Sequence, residues 1–210
     1  MNTNDMTVFI IDDDPKIRDS LKLIIELDGL SVEGFSDAKT FLEFYQPELR
    51  GCAIIDINMP EMNGLQLQTE LNNRGFPLPI IFLTGHGNIP LSVKTIKAGA
   101  SNFLTKPVSR KTLMNSINTA LKEGEKQVAE QEENQRCQLL LGSLTEREKE
   151  IMPLLIEGLT HKIIAQQLDI SHRTVEIHKS NILRKTSSKN LLELAQIVTI
   201  GEALYPNTKE

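Results

Sequence analysis

Carboxylates, a hydroxyl and an ammonium recur in this chain at one kind of place, the end of a short apolar run. V-F-I-I (8–11) runs into Asp12, Asp13 and Asp14, and A-I-I-D-I (53–57) carries Asp56. I-I-F-L-T (80–84) ends on Thr84, and N-F-L-T (102–105) leads into Lys106 and Pro107. One Asp after an apolar run is ordinarily a turn former. Four runs ending in polar groups of different chemistry describe a shared site. Like charges about 4 Å apart repel by roughly 1 kcal/mol in water and about 4 kcal/mol near a protein surface. Clustered carboxylates therefore need cations, and Lys106 supplies one. Oxygen ligation without His or Cys favours Mg2+ as the second, since it takes one or two carboxylates plus a phosphate. A metal beside a lysine and a threonine hydroxyl stabilises phosphoryl oxygens. Carboxylates accept phosphoryl groups covalently, which makes Asp56 the candidate nucleophile.

The elements that must position these groups are legible between residues 7 and 121. Apolar runs at 8–11, 31–35, 53–57, 80–84 and 102–105 alternate with amphipathic segments at 16–28, 38–45, 64–74, 90–98 and 109–121. Continuous apolar runs suit a parallel sheet covered on both faces. Five such units in succession predict an α/β doubly wound five-stranded sheet, with functional groups at the carboxyl ends of its strands. Pro15 and Pro90 suit first helical turns, and Gly29 and Gly99 suit helix ends.

Residues 122–142 are charged and Gln-rich and predict a helical linker continuing the last helix, with a heptad signal that fades after Val128. From 143 to 204 strand patterns disappear, and a small all-α domain is expected. Thr145 with Glu148 forms a capping box, Thr160 and Ser171 can cap two further helices, and a fourth runs from about Asn190 to Ile200. Pro153 conflicts with the first of these helices and predicts a kink or compensating packing. The net charge of −5 argues against a nucleic-acid partner until its distribution is read. Residues 172–189 hold Arg173, Lys179, Arg184, Lys185 and Lys189 against Glu176 alone, a basic patch on a locally neutral background. The 160–185 segment has a helix-turn-helix layout. Its second helix presents Arg173, Thr174, Glu176, Ile177, Lys179, Ser180, Arg184 and Lys185 for phosphates and base edges.

The apolar runs are far shorter than the roughly 20 residues that span a bilayer. The first residues lack the pattern of a signal peptide. Cys52 and Cys137 are the only cysteines and read as reduced thiols. A cytoplasmic protein with no membrane partner is expected.

I-I-D-D-D-P (10–15), D-I-N-M-P-E-M-N-G (56–64), L-T-G-H-G-N-I-P (83–90) and K-A-G-A-S-N-F-L-T-K-P (97–107) resemble the flavodoxin-like receiver domain of two-component response regulators. That resemblance implies phosphorylation of Asp56 by a sensor histidine kinase. It implies Mg2+ bound by Asp13, Asp56 and the carbonyl of Asn58, with Asp12 acting largely through water. Thr84 and Lys106 would sense the phosphoryl group, and Phe103 falls at the switch-aromatic position, where a Phe suits the core equally well. Asn88 stands where Asp is usual. L-T-E-R-E-K-E-I, E-G-L-T-H-K-I-I-A and I-S-H-R-T-V-E-I-H-K-S-N-I-L-R-K resemble the LuxR-type DNA-binding domain, in the manner of FixJ/NarL-type regulators. His161 and Ile163 depart from it, standing where Asn and a polar residue are usual. Double-stranded DNA, RNA polymerase and a phosphorylation-induced homodimer are the implied partners, with the last helix pairing the subunits. Two rival classes fit less well. A phosphatase with an aspartyl-phosphate intermediate needs an acid two residues after its nucleophile, where this chain has Asn58. A ligand-sensing LuxR-type regulator has no use for the set Asp12, Asp13, Asp56, Thr84 and Lys106.

Overall fold

The computed structural model describes residues 6–76, 78–85 and 89–202. The chain divides into two compact units, one ending at Val128 and the other beginning at Ala129. The first unit is built from β1 (Thr7–Ile11), α1 (Pro15–Glu26), β2 (Ser31–Phe35), α2 (Ala38–Phe44), β3 (Gly51–Ile55), α3 (Gly64–Asn73), β4 (Ile80–Thr84), α4 (Ile89–Lys97), β5 (Asn102–Thr105) and the start of α5 (Arg110–Gly142). The strands are all parallel in the order β2-β1-β3-β4-β5. The chain order therefore reverses at β1, between β2 and β3, and the crevice beyond the carboxyl ends of β1 and β3 is the expected ligand position.

Alternation along each buried strand sorts its side chains into two cores. Phe9, Ile11, Ala53, Ile55 and Phe82 pack with Phe41 and Leu42 of α2 and Leu67 and Leu71 of α3. Val8, Ile10, Ile54, Ile81 and Leu83 pack with Leu21 and Ile25 of α1 and Leu113 and Ile117 of α5. Both faces being covered, near-continuous apolar runs were the right signature of a parallel sheet. Gly51 admits no side chain, because a Cβ there would lie 1.7 Å from the carbonyl oxygen of Thr7.

The segment expected as a linker is helical, continuing α5 without a break to Gly142. Its last residues belong to the second compact unit, where a Cβ on Gly201 would lie 2.7 Å from Leu141 Cδ1. That unit continues with α6 (Glu146–Ile156), α7 (His161–Gln167), α8 (His172–Lys185) and α9 (Leu191–Glu202). Thr145, Thr160 and Ser171 accept backbone N–H groups as the caps of α6, α7 and α8. Ile151, Leu155, Ile164, Val175, Ile182 and Leu194 form the small core. The two cysteines are free and buried, and no helix among the described residues is long and apolar enough to cross a membrane.

Pro153 lies inside α6 and is exposed, so its ring is tolerated where it touches solvent. It still removes a helical hydrogen bond. Replacing Pro153 with Ala is expected to stabilise the second unit by about 1–2 kcal/mol, once the stiffness proline lends the unfolded chain is subtracted. Thermal unfolding of the full chain checks this, and an unchanged or lower midpoint would contradict it.

Candidate functional site

β1 and β3 end side by side, and each delivers a carboxylate just past its last residue. β3 stops at Ile55 rather than running to Ile57, so Asp56 is the first residue beyond the ladder. Its N–H still donates to Ile11 O at 2.8 Å, which keeps the chain in register with β1. Asp12 and Asp56 are 2% and 6% exposed. Between them lies the Lys106 ammonium, donating to Asp12 Oδ2 at 2.6 Å and Asp56 Oδ1 at 2.9 Å. Lys106 is positioned by its own N–H, which donates to Thr84 O at 2.8 Å. The Lys106–Pro107 peptide is cis. Thr84 is fully buried at the end of β4. Four of the expected site residues, Asp12, Asp56, Thr84 and Lys106, are thus set at the carboxyl edge of the sheet.

The remaining atoms of the two carboxylates are also held. Asp12 Oδ1 accepts the Asp14 N–H at 3.0 Å, and Asp56 Oδ2 accepts the Asn58 N–H at 2.6 Å. It is the amide of Asn58 that is engaged, and its side chain is exposed. Asp13 is exposed beside the pair. Asp14 is spent as the cap of α1, accepting the Lys16 N–H at 2.8 Å. Burial pushes the Asp12 carboxyl above the usual carboxylate range, although the Lys106 and Asp14 donors oppose it. Burial would lower the Lys106 ammonium, but its bonds to Asp12 and Asp56 outweigh that and raise it.

Two residues with a hold on this site were not legible in advance. Arg18, from the second turn of α1, donates Nη1 to the Asp12 carbonyl at 2.6 Å and fixes the backbone where the acid loop begins. The signal for it was a cation six residues beyond the first carboxylate, one turn into the following helix. Gly64 opens α3 against the loop that follows Asp56: a Cβ would meet Asp56 O at 2.4 Å, and its N–H donates to Ile57 O at 3.0 Å. In the same loop Glu61 has φ 61°, a left-handed conformation more often occupied by glycine. Phe103 is half-buried and packs on the core shared by α2 and α3, as its core reading expects. Asn88 lies outside the described residues.

The donor chemistry fits a hard divalent cation. Two buried carboxylates share a single ammonium, a third carboxylate stands exposed beside them, and every donor is oxygen. Among the described residues no three His, Cys, Asp or Glu side chains converge on one metal position. Asp13, Asp56 and the Asn58 carbonyl, with Asp12 behind a water, are the groups available to hold such an ion.

In the second unit, Val175 and Ile182 bury one side of α8. Arg173, Glu176, Ile177, Ser180 and Arg184 are exposed, and Lys179 is half-buried. Thr174 shares a 2.8 Å hydroxyl contact with Ser171 and its N–H is capped by the same side chain. Lys185 departs from expectation. Its ammonium donates to Glu148 Oε2 at 2.6 Å and to Ser143 O at 3.3 Å, so it ties α8 to the start of α6 instead of standing with the exposed cations. Burial would raise the Glu148 carboxyl, yet Lys185 and the Thr145 N–H together hold it below the usual range.

A carboxylate-rich sheet edge in one unit and a helix-turn-helix in the other describe the class of regulatory proteins with a receiver-like and a DNA-binding-type domain. Comparison with known proteins agrees. Residues 8–118 match the response regulator receiver domain, and residues 142–198 match the LuxR family of bacterial regulatory proteins. The chain belongs to the two-component response regulators with a LuxR-type DNA-binding domain. It is 37% identical over 197 residues to the response regulator protein TmoT of Ectopseudomonas mendocina, covering 94% of this chain and 90% of that protein. It is 35% identical over 196 residues to the transcriptional regulatory protein FixJ of Azorhizobium caulinodans, covering 93% of each. The solved structure of response regulator StyR matches with a TM-score of 0.83 and 38% identity, over 93% of this chain and 98% of that one. Full-length FixJ from B. japonicum matches with a TM-score of 0.57 and 33% identity, over 95% and 98%.

The raised Asp12 carboxyl has a sign for stability. A carboxyl raised in the folded state contributes stability that is present below its unfolded value, 3.8, and lost as pH rises through the folded value. Asp12→Asn is therefore expected to raise the unfolding midpoint in EDTA at neutral pH, with the gain shrinking toward pH 3.8. Denaturant titrations across that range test it. A gain that grows on acidification would refute the assignment.

Proposed function

We propose that this chain accepts a phosphoryl group on Asp56 from a sensor histidine kinase and, in the phosphorylated state, binds DNA as a dimer to regulate transcription. The observation that carries this reading is the shared ammonium. Lys106 spans two buried carboxylates on neighbouring strands, an arrangement that leaves net negative charge for a metal and a ready cation for a phosphoryl oxygen. Mg2+, when bound, neutralises phosphoryl oxygens during transfer. Asp56 supplies the attacking oxygen, Asp13 and Asp12 hold the metal side, Lys106 pairs with the arriving group, and the Thr84 hydroxyl registers it. Phosphorylation adds roughly −1.5 to −2 charges at this edge. Thr84 and Phe103 then shift together, and the face around residues 88–121 becomes competent for dimerisation, a population shift between two states. Two copies of α8 would then face half-sites about one helical turn apart, with α9 pairing the subunits and RNA polymerase as the downstream partner. A cytoplasmic location follows from that role.

Incubation with acetyl phosphate and Mg2+ should add one phosphoryl mass to the chain, located on Asp56, with no gain in EDTA or in Asp56→Asn. An equal gain in the variant would sink the reading. On the DNA side, Lys179→Ala should weaken binding to all duplexes alike and flatten the salt dependence by about one unit of log–log slope. A fluorescence-anisotropy salt series reads this directly. A loss confined to one sequence would instead place Lys179 on a base edge.

A further inference from the structure

His161 opens α7 and His172 opens α8, and their imidazole rings meet at 5.3 Å between centroids with planes 57° apart. The contact joins the two helices of the helix-turn-helix at its surface, with His172 exposed and His161 half-buried. Neither ring belongs to the core formed by Ile164, Val175 and Ile182. A helix-turn-helix lays the start of its second helix in the major groove while its first helix crosses the backbone. In that docking geometry the pair would lie near the backbone that the first helix crosses.

We propose that His161 and His172 form a two-imidazole site for one DNA phosphodiester, so that binding of DNA takes up protons. This rests on the reading of α8 as the DNA-facing helix and adds a site to it. Each neutral imidazole has one N–H to donate, and each protonated one has two and a positive charge. Two imidazolium rings in contact repel each other, and an anion seated between them removes that penalty. Phosphate and protons thus favour one another.

The charged groups on the surrounding elements do not provide that anion. On α7 and α8 the neighbours are Lys162, Arg173 and Glu176, with Asp169 in the turn between. The charges of α6 are already committed: Arg147 to Glu150 and the Leu168 carbonyl, Lys149 to Glu146, and Glu148 to Lys185. Glu176 is the one carboxylate on the carrier helices themselves, and it competes with phosphate for the pair rather than replacing it.

The test is binding of the full chain to a short random-sequence duplex in EDTA, at about pH 7.5 and about pH 6. The wild type should bind about fivefold or more tightly at the lower pH, with a log–log salt slope steeper by about 0.9, the signature of one further phosphate contact. His161→Asn and His172→Asn should each abolish both changes, while Arg184→Ala lowers affinity at both pH values and keeps them. A pH response that survives in both histidine variants, or one without a steeper salt slope, would overturn the proposal. Absence of duplex binding by the wild type at either pH would instead refute the DNA-binding reading on which it rests. Thermal unfolding of the two variants separates a lost site from a lost fold.

Discussion

A single ammonium shared by two buried carboxylates is the constraint around which the first unit is arranged. Lys106 is 2.6 Å from Asp12 and 2.9 Å from Asp56, and both carboxylates are buried. Burying a charge costs several kcal/mol unless a partner and further hydrogen bonds compensate. One cation cannot fully serve two anions, and burial accordingly pushes Asp12 upward. A structure that minimised its energy in isolation would replace one carboxylate with an amide. Keeping both leaves a deficit of positive charge at the sheet edge, which suits a site meant to receive a cation from outside.

The surrounding fold reads as the set of devices that keeps this deficit in place. β1 and β3 are neighbours across the reversal in strand order, so their first residues beyond the ladder fall together. Arg18 fixes the Asp12 carbonyl, Gly64 lets α3 press against the Asp56 carbonyl, and the Asn63–Gln66 capping box holds α3 at that distance. Farther along α3, the buried Gln68 amide donates to Ala98 O at 3.2 Å and Asn72 donates to the same carbonyl. The helix that starts beside the Asp56 loop is thus bonded to the residue after α4. A displacement at Asp56 has a hydrogen-bonded route to α4, whose Ile89, Val93 and Ile96 are exposed.

Much of this was legible in the sequence because strand ends are punctuated by chemistry. Apolar runs located all five strands, and the polar residues after four of them are the groups found at the carboxyl edge of the sheet. Helix caps were legible for the same local reason: Thr145, Thr160 and Ser171 accept bonds from N–H groups three residues ahead. What was not legible depends on contacts between distant segments. Asp14 and Asp13 look alike in a row of three, and only the start of α1 makes the former a cap. Arg18 is one of several cations on an amphipathic helix until β1 brings the Asp12 carbonyl beside it. Lys185 looks like its neighbour Arg184 in a basic run, but the turn of α8 aims it at Glu148, thirty-seven residues away. The limit of the linker was hidden too, since nothing in its Gln-rich composition shows that Cys137 and Leu141 pack on Gly201.

The two halves use a lysine–carboxylate contact for opposite ends, and the difference lies in stoichiometry. In the second unit Lys185 meets one carboxylate, Glu148, whose Oε2 also accepts the Thr145 N–H at 2.8 Å within a reciprocal capping box. The charges balance, the lone pairs are used, and the Glu148 carboxyl is held below its usual range despite burial. Such a pair has little to gain from any newcomer, and it locks α8 to α6 so that the exposed face of α8 is presented rigidly. In the first unit one lysine meets two carboxylates, and an incoming cation improves the balance instead of disturbing it. A cation held beside these carboxylates would relieve Lys106 of part of its task. The closed pair suits a scaffold, and the open triad suits a switch. The buried charges left incomplete are those of the first unit, at the carboxyl edge of its sheet.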